Sequence, residues 1–258
     1  MTPQKVDYDE IAPTYDLRYK HGDLPGISHA LLEMAGQNKA ETILEVGCGT
    51  GRWLADLQQI SRGAFGLDRS LGMLRAAGQR DSQLYLTNGQ AESLPFDDAC
   101  FDFVYCVHAL HHFEEQRIFL REARRVLKPA GWLAVIGMDP HVGPERWYIY
   151  QYFDGTYTTD LARFPPWDTL LVWMAAAGFT SLNQQTVEHI YKQYRGAQVF
   201  EDPFLQKEST SQLVLLSDQA YTAGIDRLRQ AVAKAAASQE EITFSVDHDI
   251  VLVLGQAG

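Results

Sequence analysis

Thr42-Ile43-Leu44-Glu45-Val46-Gly47-Cys48-Gly49-Thr50-Gly51-Arg52 is the stretch on which the fold turns. Ile43–Val46 is a short run of buried-strand character, and three glycines spaced two apart follow it. Arg52–Gln59 then reads as a helix. Glycine lets the backbone bend tightly and lets a ligand approach without meeting a Cβ. The helix behind the bend offers unpaired N–H groups. A second apolar run, Ala64–Leu67, ends on Asp68, seventeen residues after Gly51. Two adjacent parallel strands end at the same edge of a sheet. The Asp68 carboxylate is therefore expected beside the glycine bend, able to accept both ribose hydroxyls of an adenosine-containing ligand.

Outward from this unit, residues 42–138 alternate short apolar runs with helical stretches, the signature of parallel βαβ units. Ser70–Gln79 is expected as a helix capped by Ser70, and Leu84–Leu86, Phe101–Val107 and Trp132–Ile136 as further strands. Glu114–Leu127 carries Ile118, Phe119, Ala123, Val126 and Leu127 at helical spacing and stops at Pro129 and Gly131. Its Arg121, Arg124, Arg125 and Lys128 read as partners of the helix dipole and of solvent. Beyond Pro140 the chain is crowded with aromatics, from Trp147 through Trp167. Thr169–Ala177 returns to helix, Phe179–Ile190 is extended, 203–239 is largely helical and Ile250–Leu254 is a final strand. Asp247-His248-Asp249, between extended runs, reads as a turn. No repeat, low-complexity segment or linker divides the chain, so a single domain with insertions is expected.

The composition, 46 % hydrophobic and 21 % charged over 258 residues, is that of a globular protein with a core large enough to need no disulfides. Cys48, Cys100 and Cys106 form no CxxC pair and read as buried thiols in a reducing, cytoplasmic compartment. The N-terminus lacks a secretory pattern, and no apolar run reaches the roughly 18–20 residues of a membrane span. A formal net charge of −11 works against a nucleic-acid substrate, because phosphate binding needs a basic surface.

A nicotinamide enzyme would also show a glycine loop and a later acid. Its fingerprint, GxGxxG, places a third glycine where this chain has Arg52; here the glycine comes one residue earlier, at Gly51. Glu45-x-Gly47-x-Gly49-x-Gly51 instead resembles the first motif of the class I S-adenosylmethionine-dependent methyltransferases. The resemblance is specifically to the subgroup that includes the ubiquinone and menaquinone biosynthesis enzymes (methyltransferase type 11). Gly66-Leu67-Asp68-Arg69-Ser70 resembles the second motif, whose acid holds the ribose. Asn88-Gly89-Gln90-Ala91-Glu92-Ser93-Leu94-Pro95-Phe96 resembles the segment framing the adenine, with Gln90 where an acid is usual. Phe101–Phe113 and Val126–Leu133 resemble the fourth-strand motif and the turn into the fifth strand. The set covers about residues 40–138.

The resemblance implies an α/β fold: a doubly wound, mostly parallel seven-stranded sheet whose last strand is antiparallel, with a helical substrate-cover insertion. It divides the single domain into an N-terminal lid and first helix (1–40), a cofactor-binding core (41–139) and substrate covers (140–168 and 192–241). S-adenosylmethionine is the implied cofactor, S-adenosylhomocysteine the product, and a small molecule the methyl acceptor, through O, N, S or C. Cofactor contacts are implied for Glu45, Gly47, Cys48, Gly49, Gly51, Asp68, Arg69, Gln90, Ala91, Glu92 and Val107. Tyr8-Asp9-Glu10-Ile11-Ala12-Pro13-Thr14-Tyr15-Asp16 resembles the segment that folds over the cofactor, making Tyr15 a catalytic candidate and Tyr8 a lid residue. His111 is the second catalytic candidate, since a neutral imidazole can act as a base near pH 7. No Cys/His spacing supports a metal. A protein of this family that binds the cofactor without transferring methyl groups is the alternative.

Overall fold

The computed structural model describes residues 6–16 and 24–258; the parts of the N-terminal lid assigned to 1–5 and 17–23 lie outside the described residues. Seven strands, β1 (Thr42–Val46), β2 (Gly63–Asp68), β3 (Tyr85–Asn88), β4 (Phe101–Val107), β5 (Leu127–Gly137), β6 (Phe179–Arg195) and β7 (Thr243–Ala257), form one sheet in the order β3-β2-β1-β4-β5-β7-β6. Neighbours are parallel except β7, which runs antiparallel to both β5 and β6. The chain winds from β1 outward to β3 and then returns to β4 on the other side of β1. The crevice at that switch point, beyond the carboxyl ends of β1 and β4, is where this topology places a ligand.

The helices are α1 (Tyr8–Ile11), α2 (Pro25–Gln37), α3 (Arg52–Gln58), α4 (Leu71–Arg80), α5 (Gln116–Val126), α6 (Tyr148–Tyr152), α7 (Thr156–Arg163), α8 (Trp167–Ala176), α9 (Ser211–Val214) and α10 (Asp218–Ser238). Strand alternation sorts the sheet's two faces. Leu44, Val46, Val104 and Cys106 pack with α5 and α8, whereas Ile43, Phe103, Tyr105 and Val107 pack with α2 and α3. α5 buries Phe119, Leu120, Ala123 and Val126, one apolar stripe at helical spacing. Each large side chain on it contributes about 1.5–3 kcal/mol of burial. Of the basic residues at its end, Arg121 is exposed, whereas Arg125 and, at the start of β5, Lys128 are tied down. The Arg125 guanidinium donates to Glu122, Asp98 and the carbonyls of Leu94 and Phe96, and Lys128 donates to Asp102 at 2.8 Å. Arg125 thereby pins the segment running from β3 toward β4.

β6 and β7 are much longer than the periodicity suggested. β7 pairs with β5 only over Val251–Gln256 but with β6 from Thr243 to Ala257. Residues 243–250 with 188–195 therefore overhang the sheet as a two-stranded wall. Asp247-His248-Asp249 is part of this wall and not a turn, pairing with Tyr191, Ile190 and His189. Its turn-like composition is overridden by alternation. Asp247 and Asp249 share one face, where Arg146 and His189 pair with them, and His248 faces the other way. Facing the wall, α6, α7, α9 and α10 form a cover with its own core, including Tyr148, Phe153, Leu213, Leu228 and Phe244. Most aromatics of the 141–167 stretch are thus spent on packing. Among the described residues no helix is long and apolar enough to cross a membrane.

Candidate active site

The bend after β1 is built by its own amides. Gly47 and Cys48 donate to the Leu67 carbonyl at 2.7 and 3.0 Å, Gly51 donates to the Cys48 carbonyl at 2.9 Å, and Gly49 donates to Asp68 Oδ2 at 2.8 Å. Those four N–H groups are consumed in shaping the loop, so they make no cradle for a pyrophosphate, which needs amides aimed outward. The glycines act by what they lack. Gly47 and Gly49 lie at φ +75° and +52°, in the left-handed region; a Cβ on Gly47 would meet the Ala109 Cβ at 2.6 Å, and one on Gly49 would meet nothing within 4 Å.

The Asp68 carboxylate is turned toward the bend. Oδ2 takes the Gly49 amide and Oδ1 the Ser70 amide at 2.9 Å. The Arg69 amide is a further donor, and the carboxylate still has acceptor capacity. Burial raises its pKa above the ordinary carboxylate value, opposed by the Ser70 and Gly49 amides. The result is a carboxylate whose position is fixed from behind and which lines a cavity of about 400 Å³, within the ~300–1,000 Å³ usual for ligand sites.

Gly47, Gly49, Asp68, Arg69, Gln90, Ala91, Glu92, Val107 and Tyr15 all line this cavity. Three of the cofactor contacts implied from the sequence do not. Glu45 is buried beneath the sheet end, accepts from the Tyr105 hydroxyl at 3.0 Å, and has its pKa pushed well up by that burial. Cys48 turns inward, its Sγ 2.8 Å from where a Cβ on Gly66 would stand. Gly51 abuts Ala77 and Leu84, which a Cβ there would reach at 3.0 and 3.1 Å. These three shape the loop from behind because strand alternation and the bend direct them away from the crevice. Glu92 lines the cavity while its Oε1 accepts the Glu114 amide at 2.6 Å.

The N-terminal segment lies over this crevice. Asp9 Oδ1 accepts from Ser70 Oγ at 2.8 Å and from the Gly72 amide at 2.6 Å, at the start of α4. Tyr8 Oη lies 2.7 Å from His112 Nε2. Asp16 accepts from Thr50 Oγ1 at 2.8 Å and pairs with Arg80. Three latches thus join residues 8–16 to the glycine loop, α4 and the turn after β4.

A second, more apolar cavity of about 160 Å³ adjoins the first, beneath the overhanging wall. Alternation directs Ile190, Lys192 and Tyr194 of β6 and Val246, His248 and Ile250 of β7 into its lining, with Trp147 and Phe164 from the cover. His111 lines this cavity and not the first, stacked on Phe164 with ring centroids 3.9 Å apart. Burial, with His112 and Arg163 nearby, holds its pKa well below the usual histidine value, so the ring is neutral. Tyr8, Tyr15, His108 and His112 line both cavities. His108 takes φ +50°, with its amide donating to the Ile136 carbonyl at 2.8 Å. The wall residues escaped the sequence reading; their only local signal is the alternation through Ile190, Lys192 and Tyr194. Among the described residues no cluster fit to hold a metal occurs.

Comparison with known proteins agrees with this geometry. The family profile described as "Methyltransferase domain" matches residues 44–135. The demethylmenaquinone methyltransferase of Renibacterium salmoninarum is 26 % identical over 201 residues, covering 70 % of this chain and 85 % of that protein. That of Lactiplantibacillus plantarum is 29 % identical over 208 residues, covering 69 % and 88 %. The solved structure of Haemonchus contortus phosphoethanolamine N-methyltransferase 2 in complex with S-adenosyl-L-methionine shares the fold, with a TM-score of 0.60 at 14 % identity, over 97 % of this chain and 60 % of that one. A glycine bend without side chains, a carboxylate fixed behind it, and this run of relatives support a class I S-adenosylmethionine-dependent methyltransferase that resembles the quinone-biosynthesis enzymes.

Proposed function

We propose that the 400 Å³ cavity holds S-adenosylmethionine and that the 160 Å³ cavity holds a small-molecule methyl acceptor. The observation that carries this reading is the shared wall: Tyr8, Tyr15, His108 and His112 border both spaces, so groups bound in the two meet there. Bound in the first cavity, S-adenosylmethionine supplies an electrophilic methyl group on a sulfonium centre. Asp68 accepts the ribose hydroxyls. Gln90, Ala91 and Glu92 frame the adenine, Gly47 and Gly49 leave room for close approach, and Arg69 and Val107 complete the walls. Glu45, Cys48 and Gly51 hold the loop's shape rather than touch the cofactor.

Tyr15 stands at the junction and His111 on the acceptor side. Orientation in such a pair of cavities can supply ~7–11 kcal/mol of the barrier, against a typical ~10²–10⁴-fold from a general base. The low basicity of His111 fits the first role: a neutral hydrogen-bonding partner that orients the acceptor. The segment through residue 40 serves as lid, and the 140–168 and 192–241 stretches as cover. Three unpaired cysteines are consistent with a cytoplasmic protein.

Calorimetric titration with S-adenosylhomocysteine tests the assignment. Binding is expected, and Asp68→Ala should weaken it at least about tenfold, since a hydrogen bond to a charged group is worth ~1.5–3 kcal/mol. A folded wild-type protein that shows no heat with this ligand sinks the reading.

A further inference from the structure

The cover contains two buried carboxylates whose surroundings differ in one respect. Asp160 is 0 % exposed, accepts from Tyr150 Oη at 2.7 Å and Gln212 Nε2 at 2.6 Å, and is ion-paired with Arg163. It does not line the acceptor cavity. Asp202 is 1 % exposed and does line it. Its Oδ2 accepts from Tyr148 Oη at 2.7 Å and its Oδ1 from the Phe204 amide at 3.0 Å. Among the described residues no lysine, arginine or histidine lies within 4.0 Å of it, Lys192 of the same cavity included. A buried carboxylate is ordinarily paired with a cation, because desolvating an unpaired charge is costly. Asp160 follows that rule within the protein. Asp202 does not.

The groups around Asp202 accommodate a negative charge without cancelling it. Burial and the neighbouring carboxylate push the hydroxyls of Tyr148 and Tyr194 well up, so both stay protonated. The Tyr194 hydroxyl is a third, neutral donor to the carboxylate, which still has acceptor capacity to spare. Trp147, Phe164, Tyr194 and Phe204 supply aromatic walls to the same cavity, and aromatic faces attract cations when water is excluded. A neutral hydroxyl reaching Asp202 would form an ordinary hydrogen bond. An ammonium would form a charge-assisted one, roughly twice as strong, and would supply the missing countercharge.

We propose that the acceptor cavity takes a molecule carrying a protonated amine on an apolar body, with Asp202 receiving the ammonium. This rests on the reading of the second cavity as the acceptor site. Asp202 is here a recognition residue, and the amine is the handle by which the acceptor is held.

The test uses a pair of probes of the same shape, 2-phenylethylamine and 2-phenylethanol, titrated by calorimetry at pH 7 into the full chain saturated with S-adenosylhomocysteine. The amine is expected to bind about tenfold or more tightly than the alcohol, the range given by one hydrogen bond to a charged group. Asp202→Asn keeps the shape and removes the charge. It should bring the amine down to the alcohol's affinity while S-adenosylhomocysteine binds as before. Tyr194→Phe, which keeps the charge, should retain the preference. The wild-type pair decides the question even where Asp202→Asn fails to fold: equal affinities, or no amine binding, overturns the proposal. So does a preference that survives in folded Asp202→Asn. Absence of S-adenosylhomocysteine binding in folded wild type instead overturns the assignment of the first cavity, so the two failures are distinct.

Discussion

Two glycines two residues apart in one loop do different work. Gly47 combines φ +75° with a neighbour, the Ala109 Cβ, 2.6 Å from where its own Cβ would stand. Gly47→Ala should therefore cost stability, about 1–3 kcal/mol, since strained backbone and overpacking each fall in that range. A lowered urea midpoint with unchanged m-value would show it. Gly49 has only the backbone penalty, because a Cβ there meets nothing within 4 Å. That open space belongs to the cavity, so Gly49→Ala should chiefly lower affinity for S-adenosylhomocysteine. Calorimetry and denaturation on the same two variants separate the cases, and equal effects of both on binding and stability would contradict the assignment. Glycine spacing was legible in the sequence; that Gly47, unlike Gly49, also abuts another side chain was not, because that depends on Ala109, sixty-two positions away.

Among the elements, α1 shows how a short helix is kept in place. Four residues make no stable helix alone, and Asp9 anchors this one by accepting from Ser70 and Gly72 at the start of α4. Those bonds also hold the Asp9 carboxyl below its ordinary value. If the N-terminal segment acts as the proposed lid, Asp9→Ala should release it, seen as faster proteolysis of that segment and a severalfold weaker grip on S-adenosylhomocysteine, with the core's unfolding midpoint nearly unchanged. A matching fall of the core midpoint would instead make Asp9 a stability residue. In the cover, α10 approaches Phe153 so closely that a Cβ on Gly224 would stand 2.2 Å from the ring. Gly224→Ala gains helix propensity yet should be net destabilising by roughly 1–3 kcal/mol, because the ring is buried with no room to move. A rise in thermal midpoint would show that the ring yields after all. The sequence located this helix from its composition but carried no sign of the aromatic it leans on.

For the whole molecule, pH reports on the wall over the smaller cavity. His248 Nε2 is shielded from solvent and has no hydrogen-bond partner among the described residues. Burial, with Arg146 close by, lowers its pKa to about 4 against the pull of Asp247 and Asp249; Trp147 packs edge-on with centroids 5.2 Å apart. The unfolded chain therefore takes up this proton near pH 6.5 and the folded chain only near 4. Its contribution is fully present above about pH 6.5 and is lost as pH falls toward 4. His111 acts in the same direction, whereas Glu45 and Asp68, with raised values, oppose it. The difference between variants isolates one group. Wild type should show a steeper fall of unfolding free energy than His248→Phe across that window, by at most about 1.4 kcal/mol per pH unit. Parallel pH profiles would refute the burial of this ring.

Local chemistry accounts for what could be read without coordinates. A strand, three glycines and a helix, with an acid one βα unit later, place the crevice beyond β1 and β4 because adjacent parallel strands end on one edge; alternation and helical spacing supply the rest of the layered core. The wall and its cavity have another origin. Asp202 meets Tyr148 across fifty-four positions, and His248 faces inward only because a long β6–β7 pairing carries the strands past the end of β5. Such pairings are set by packing between distant segments, and no short window of sequence encodes which ones form.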